Sequence, residues 1–124
     1  MNIKNIAVLT SGGDAPGMNA VVRAITRYAI SNDINVWGII RGYMGLRIGD
    51  KIEMNLRTVS DIIHRGGTIL YSSRDPIFQT DEGLNQAVDF CKSSNLDAVI
   101  AVGGDGTLRG AQKLSSKGIN CIFV

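Results

Sequence analysis

From Ile3 to Thr10 the chain is a short β-rich run, apolar at Ile3, Ile6, Ala7, Val8 and Leu9, and it stops abruptly at Ser11-Gly12-Gly13-Asp14. Pro16 stands where a first helical turn accepts a residue lacking an N–H. Beyond it Met18, Val21, Val22, Ile25, Tyr28 and Ala29 recur at three- and four-residue spacing, which predicts an amphipathic helix buried along that stripe. Val36 to Ile40 predicts the next strand, closed by Arg41-Gly42. Two such strands joined by a helix form a βαβ unit and imply a parallel sheet covered on both faces.

The middle is less regular. Gly42 to Asn55 reads as a loop with a short strand at Lys51 to Met54. Thr58 suits the cap of a short helix running to His64 and ended by Gly66-Gly67. Ile69 to Tyr71 reads as a third strand, followed by the polar loop from Ser72 to Pro76. A second long helix begins near Asp81-Glu82, whose charges suit a helix N-terminus, with Leu84, Ala87, Val88 and Cys91 as its buried stripe. Asp97 to Val102 is a nearly continuous apolar run, as expected of a strand buried on both faces. Gly103-Gly104-Asp105-Gly106-Thr107 follows, then a helix through Ala111 and Leu114 stopped by Gly118. Ile119 to Val124 is a last apolar strand, and a chain stopping inside a buried strand reads as truncated. The pattern contains no linker, repeat or low-complexity segment. The alternation of strands and helices predicts an α/β sheet with helices on both faces.

Composition narrows the class without changing this picture. The 124 residues are 44% hydrophobic and 19% charged, with 13 Lys+Arg against 11 Asp+Glu for a net charge of +2. No apolar run approaches the ~18–20 residues of a membrane span, and the first residues lack the features of a signal peptide. A pI near 8.7 is too mild to indicate a nucleic-acid surface. Cys91 and Cys121 lie in apolar surroundings without CxxC spacing, which suggests reduced, buried thiols. These features fit a soluble, cytoplasmic protein. Fifteen glycines are well above the usual ~7% and ask for a local explanation.

Two glycine-rich turns lie at the carboxyl ends of predicted strands and open helices, the edge of an α/β sheet where ligands bind. Free N–H groups and the positive dipole end make a helix N-terminus a phosphate site. Gly12 and Gly17 have the spacing of a P-loop's two glycines, but Met18-Asn19 replace its Lys and Ser/Thr. Gly104-Asp105-Gly106 reaches its next glycine, Gly110, one residue too late for GxGxxG. Spacing alone leaves phosphate approach and tight-turn packing both open. Asp105 sharpens the second turn. Beside a phosphate its carboxylate is repulsive unless a cation lies between, and Mg²⁺ is bound in that way, although an Asp stabilising its own turn is the alternative. Arg74 stands in another loop after a predicted strand. Arg23 and Arg27, four apart, share one helix face.

These residues carry a close resemblance. Val8 to Asn19, with Ser11-Gly12-Gly13-Asp14-Ala15-Pro16-Gly17-Met18-Asn19 at its centre, resembles the opening of the bacterial-type ATP-dependent 6-phosphofructokinases. Ser60-Asp61, Arg65-Gly66-Gly67-Thr68, Ser73-Arg74 and Gly103-Gly104-Asp105-Gly106-Thr107 follow in the family's order, so that the resemblance spans nearly the whole chain as the amino-terminal part of the ATP-binding domain. The long first motif is specific; the GGDGT motif is shared with other kinases.

The resemblance implies a truncated Rossmann-like, doubly wound, mostly parallel α/β sheet with helices on both faces, and transfer of the γ-phosphoryl group of ATP to the 1-hydroxyl of fructose 6-phosphate with Mg²⁺. It implies that Gly13, Arg74, Asp75, Gly104, Asp105, Gly106 and Thr107 meet the nucleotide. Within that set Asp105 would hold the metal and Arg74 would stabilise charge on the transferring group. Gly106 favours ATP over pyrophosphate, since pyrophosphate-dependent relatives typically carry Asp there. It further implies an effector site for ADP or phosphoenolpyruvate at Arg23, Arg27, Arg57, Thr58, Val59, Ser60 and Asp61, lying between subunits of a homotetramer. Tyr71 departs from the pattern, standing where many relatives have glycine, and His64 has no implied catalytic role. The family's TIDND-type segment, with the catalytic Asp base, is expected just beyond Val124. Without that base the fragment alone should catalyse little. The rival readings are a non-catalytic nucleotide-binding module and a pyrophosphate-dependent kinase.

Overall fold

The computed structural model describes residues 2–12, 17–60, 69–72 and 75–124. Pro16, His64, Gly66 and Gly67, whose roles the sequence suggested, lie outside them. Among the described residues five strands form one sheet: β1 (Asn5–Ser11), β2 (Asn35–Ile39), β3 (Lys51–Met54), β4 (Ala98–Gly103) and β5 (Cys121–Phe123). Their spatial order is β3-β2-β1-β4-β5, with β3 antiparallel to β2 and the other pairs parallel. The described helices are α1 (Met18–Ser31), α2 (Gly42–Ile48), α3 (Leu56–Val59), α4 (Asp81–Ser93) and α5 (Asp105–Ser116), with a 3₁₀ turn at Pro76–Gln79. This is the expected mostly parallel α/β fold.

Period-two alternation along β1 divides the core. Ala7 and Leu9 point to the face packed by Tyr43, Leu46, Leu84, Val88 and Leu114, while Ile6 and Val8 point to Met18, Val22, Ala29 and Val59. All four β1 residues are buried, so this strand reads as continuous apolar sequence. The α4 stripe of Leu84, Ala87, Val88 and Cys91 is buried as expected. Burial pushes the Cys91 thiol up to about 12 and that of half-buried Cys121 up to about 11; both cysteines are free.

Several elements differ from the sequence reading. The segment after Arg41 is a helix, α2. Gly42 and Gly45 within it hide it, because glycine lowers helix propensity, yet burial of Tyr43 and Leu46 holds it in place. Ile69–Tyr71 is not a strand. Leu70 is a core plug whose carbonyl accepts from Arg41 N–H at 2.8 Å, and Tyr71 turns away with φ 61. The cap of α3 is Asn55, not Thr58. The Asn55 side chain accepts from Thr58 N–H at 2.9 Å and the Thr58 hydroxyl accepts from Asn55 N–H at 3.2 Å, a capping box. The described helix ends at Val59. Tyr28 is 72% exposed, so the α1 stripe buries Asn19 and Thr26 instead. The last strand is not buried either. β5 lies at the sheet edge with Ile122, Phe123 and Val124 exposed.

One surface carboxylate ties the sheet's opposite edge of the β1–β4 pair. Asp97 accepts from Lys4 and Asn5 N–H at 2.8 Å each, and those bonds hold its carboxyl below the usual aspartate range. A group charged more readily in the folded state stabilises it above the ordinary pKa of about 3.9. That contribution is lost as pH falls through the lower folded-state value. Asp97→Asn is therefore expected to melt below the unaltered chain at pH 7, with the gap closing as pH falls below the ordinary aspartate value of about 3.9. Thermal melts showing a pH-independent gap would contradict this.

Candidate functional site

The chain runs outward from β1 to β2 and β3, then crosses back to β4 on the other side of β1. The carboxyl ends of β1 and β4 are thus the switch point of the sheet, where diverging connections leave a crevice. Both glycine turns open there. A cleft of about 590 Å³ is lined by Gly12, Gly17, Met18, Gly104, Asp105 and Gly106, among others.

The two turns are locked together. Ser11 pairs with Gly103 in the sheet, and the buried Thr107 hydroxyl donates to the Ser11 carbonyl at 3.0 Å. A Cβ on Gly103 would overlap both that carbonyl and the Thr107 side chain. A Cβ on Gly104 or Gly106 would meet nothing within 4 Å. The glycines of this turn therefore have two different reasons to be there: Gly103 serves packing, while Gly104 and Gly106 leave room at the cleft surface.

Gly104 is the N-cap of α5 and Gly17 that of α1, and neither helix has a side-chain cap. In α4, by contrast, Thr80 accepts from Gly83 N–H at 3.0 Å. The first-turn N–H groups of α5, at Asp105, Gly106 and Thr107, lack intrahelical acceptors, so the helix presents donors and its positive dipole end to the cleft. Asp105 is exposed beside them, and its carboxylate has no hydrogen-bonding or ionic partner among the described residues. Among the described residues no side-chain hydrogen bond ties Asp105 to its own turn, and its contribution there is the charge it places at the helix N-terminus. Thr107 differs from the expected picture. Its hydroxyl is wholly buried and committed to Ser11, which leaves only its backbone N–H for a ligand.

Two side chains that the sequence reading missed support this arrangement. The Tyr43 hydroxyl donates to the Thr107 carbonyl at 2.6 Å, and burial raises its pKa far above the ordinary range. Its ring stacks on Phe78 at 4.5 Å and fills the space that a Cβ on Gly110 would occupy. Arg47, one helical turn beyond Tyr43, holds Asp75 through Nε (2.7 Å) and Nη2 (3.2 Å). The Asp75 side chain is 3% exposed. Gly42 and Gly110 were the available signals for a close approach of α2; nothing in the spacing marked Arg47 and Asp75 as partners.

Gly13, Arg74 and Asp61 lie outside the described residues. Arg23 and Arg27 lie on α1, the first half-buried and the second exposed, and α3 packs against that helix. Arg57 and Ser60 are exposed, Thr58 belongs to the capping box, and the Val59 side chain is wholly buried in the core. Among the described residues no group of three or more His, Cys, Asp or Glu gathers to hold a metal, and no helix is long and apolar enough to cross a membrane.

Comparison with known proteins agrees with this geometry. The phosphofructokinase family model matches residues 5–124. The chain is 55% identical to the ATP-dependent 6-phosphofructokinase of Clostridioides difficile and 52% identical to that of Oceanobacillus iheyensis, over 98% of this chain and 38% of each relative. It therefore spans about 38% of the length of these relatives. The crystal structure of Pichia pastoris phosphofructokinase in the T-state superposes with a TM-score of 0.89 at 36% identity, covering 93% of this chain and 13% of that one. A pyrophosphate-dependent phosphofructokinase from Marinobacter aquaeolei shares the fold, with a TM-score of 0.77 at 19% identity over 98% of this chain and 33% of its own. With the paired glycine turns at the switch point and a family match across almost its whole length, the chain belongs to the phosphofructokinase family.

Proposed function

We propose that this chain forms the ATP- and magnesium-binding part of an enzyme that transfers the γ-phosphoryl group of ATP to the 1-hydroxyl of fructose 6-phosphate, giving fructose 1,6-bisphosphate and ADP. The observation that carries this is the uncapped N-terminus of α5 opening on the cleft, with Gly104 and Gly106 bare and Asp105 beside them without a partner among the described residues. Phosphoryl transfer needs positioning and charge neutralisation more than covalent chemistry from the protein. The α5 N–H groups hold phosphate oxygens, Thr107 fixes the helix start against β1, and Gly13 contributes from the first turn. Arg74 stabilises charge on the transferring group.

The residues present fit Mg²⁺. A single exposed carboxylate next to a phosphate cradle matches a cation that takes one or two protein oxygens and completes its shell with phosphates and water. Asp105 would hold it there, and when bound the ion neutralises phosphate charge. A side chain at position 106 would project into the open cleft, so glycine there leaves room for the nucleotide where an Asp would add bulk and charge. The effectors ADP or phosphoenolpyruvate would meet Arg23, Arg27, Arg57, Thr58, Val59, Ser60 and Asp61 in a cytoplasmic homotetramer. Because the Val59 side chain is buried, only its backbone can take part.

A chimera tests this reading. Residues 1–124 replace the matching segment of the Bacillus subtilis ATP-dependent 6-phosphofructokinase, to which the chain is 48% identical over 122 residues. The product is expected to form fructose 1,6-bisphosphate with ATP and not with pyrophosphate. A folded chimera that uses pyrophosphate, or that binds nucleotide without turnover, would favour one of the rivals.

A further inference from the structure

We infer that Arg47 is a positioning residue for the nucleotide site, holding Asp75 and the 3₁₀ turn that follows it in register with the phosphate cradle of α5; this rests on the reading of the site as an ATP site. Asp75, the residue after Arg74, is gripped by both Nε and Nη2 of Arg47, a two-point contact that fixes direction as well as distance. The Asp75 side chain is nearly inaccessible and that of Arg47 only 13% exposed, so this is not a solvated surface pair. Such a pair holds its geometry, and removing one partner leaves the other charge buried and unpaired.

The same face of α2 reaches the cradle. Tyr43, at i−4 from Arg47, donates to the carbonyl of Thr107 in the first turn of α5. Asp75 O accepts from Phe78 N–H at 3.1 Å, which starts the 3₁₀ turn, and the Phe78 ring stacks on Tyr43. One short helix thereby grips two segments that are 32 residues apart, Asp75 and Thr107, through neighbouring side chains. Arg47 also donates to Gln86 Oε1 at 3.4 Å, tying the bracket to α4. Asp75 therefore acts through Arg47, with its carboxylate committed there and not offered to a phosphate.

The test is a double-mutant cycle with Arg47→Gln, Asp75→Asn and the pair together, read in two ways. Amide hydrogen exchange without ligand should quicken about tenfold at Phe78 and Thr80 in all three variants, with the β4 amides unchanged. Calorimetry with Mg-ATP should show about tenfold weaker binding in each single variant, with the double variant no worse than either. Arg47→Lys, which keeps the charge but not the fork, should recover only part of the loss. Unchanged exchange at Phe78 in Arg47→Gln overturns the proposal, as do single-variant losses that add in the double variant, since Asp75 would then touch the nucleotide independently. If the unaltered chain binds no Mg-ATP, the ATP reading fails, while the exchange result still decides whether Arg47 orders the turn.

Discussion

Gly103→Ala is expected to destabilise the fold by about 3 kcal/mol or more, whereas Gly104→Ala, one residue on, should shift it by no more than about 0.5 kcal/mol. The contrast follows from what each new methyl group would meet. At Gly103 it overlaps a backbone carbonyl, Ser11 O, inside the β1–β4 pair, together with the buried Thr107 side chain. A backbone carbonyl in a sheet cannot swing aside as a flexible side chain can, so β4 and the start of α5 would have to move. At Gly104 the methyl group enters open space at the cleft. Denaturant unfolding followed by the fluorescence of Trp37, the single tryptophan, measures both. Ligand binding should show the reverse order. Gly104→Ala keeps the fold but brings a side chain to the surface where phosphates would approach. Equal stability losses at the two positions would show that the packing role assigned to Gly103 is wrong.

The second large effect concerns Asp105. Its removal should abolish the magnesium dependence of ATP binding while costing the fold only the helix-dipole contribution, about 0.3–1 kcal/mol. The sign of the effect on metal-free ATP is the sharper part. Without a cation between them the Asp105 carboxylate repels the phosphates by roughly 1 kcal/mol at about 4 Å in water, so Asp105→Ala should bind metal-free ATP about fivefold more tightly than the unaltered chain. With Mg²⁺ the order should invert. Calorimetry in the presence of Mg²⁺ and of a chelator gives the four values required, and a variant that keeps the full magnesium enhancement would remove Asp105 from the metal site.

The parts legible without coordinates share a physical cause. The pattern around β1, β4, α4 and α5 is strong because each buries a regular stripe, with period two hidden in a run buried on both sides or period 3.6 facing one layer. The GGDGT turn was visible as a glycine cluster, but its chemistry was ambiguous, since glycine answers equally to close packing and to ligand approach. Helix α2 was misread because its glycines lower propensity locally, while its stability comes from Tyr43 and Leu46 packing on distant elements. Ile69–Tyr71 looked like a strand because it is a short apolar run, whereas Leu70 is apolar because it fills the core from a turn.

By itself, then, the order of residues determined the sheet-and-helix alternation, the two glycine turns at strand ends and the family resemblance, all of which depend on neighbours in sequence. Tertiary structure decided which glycine packs and which faces the cleft, that the Thr107 hydroxyl is spent on Ser11, and that Arg47 finds Asp75 across 28 residues. Those assignments depend on which groups folding brings within a bond length of each other. That distance is set by the layered packing of α2 and α5 on the sheet, and no spacing along the chain encodes it.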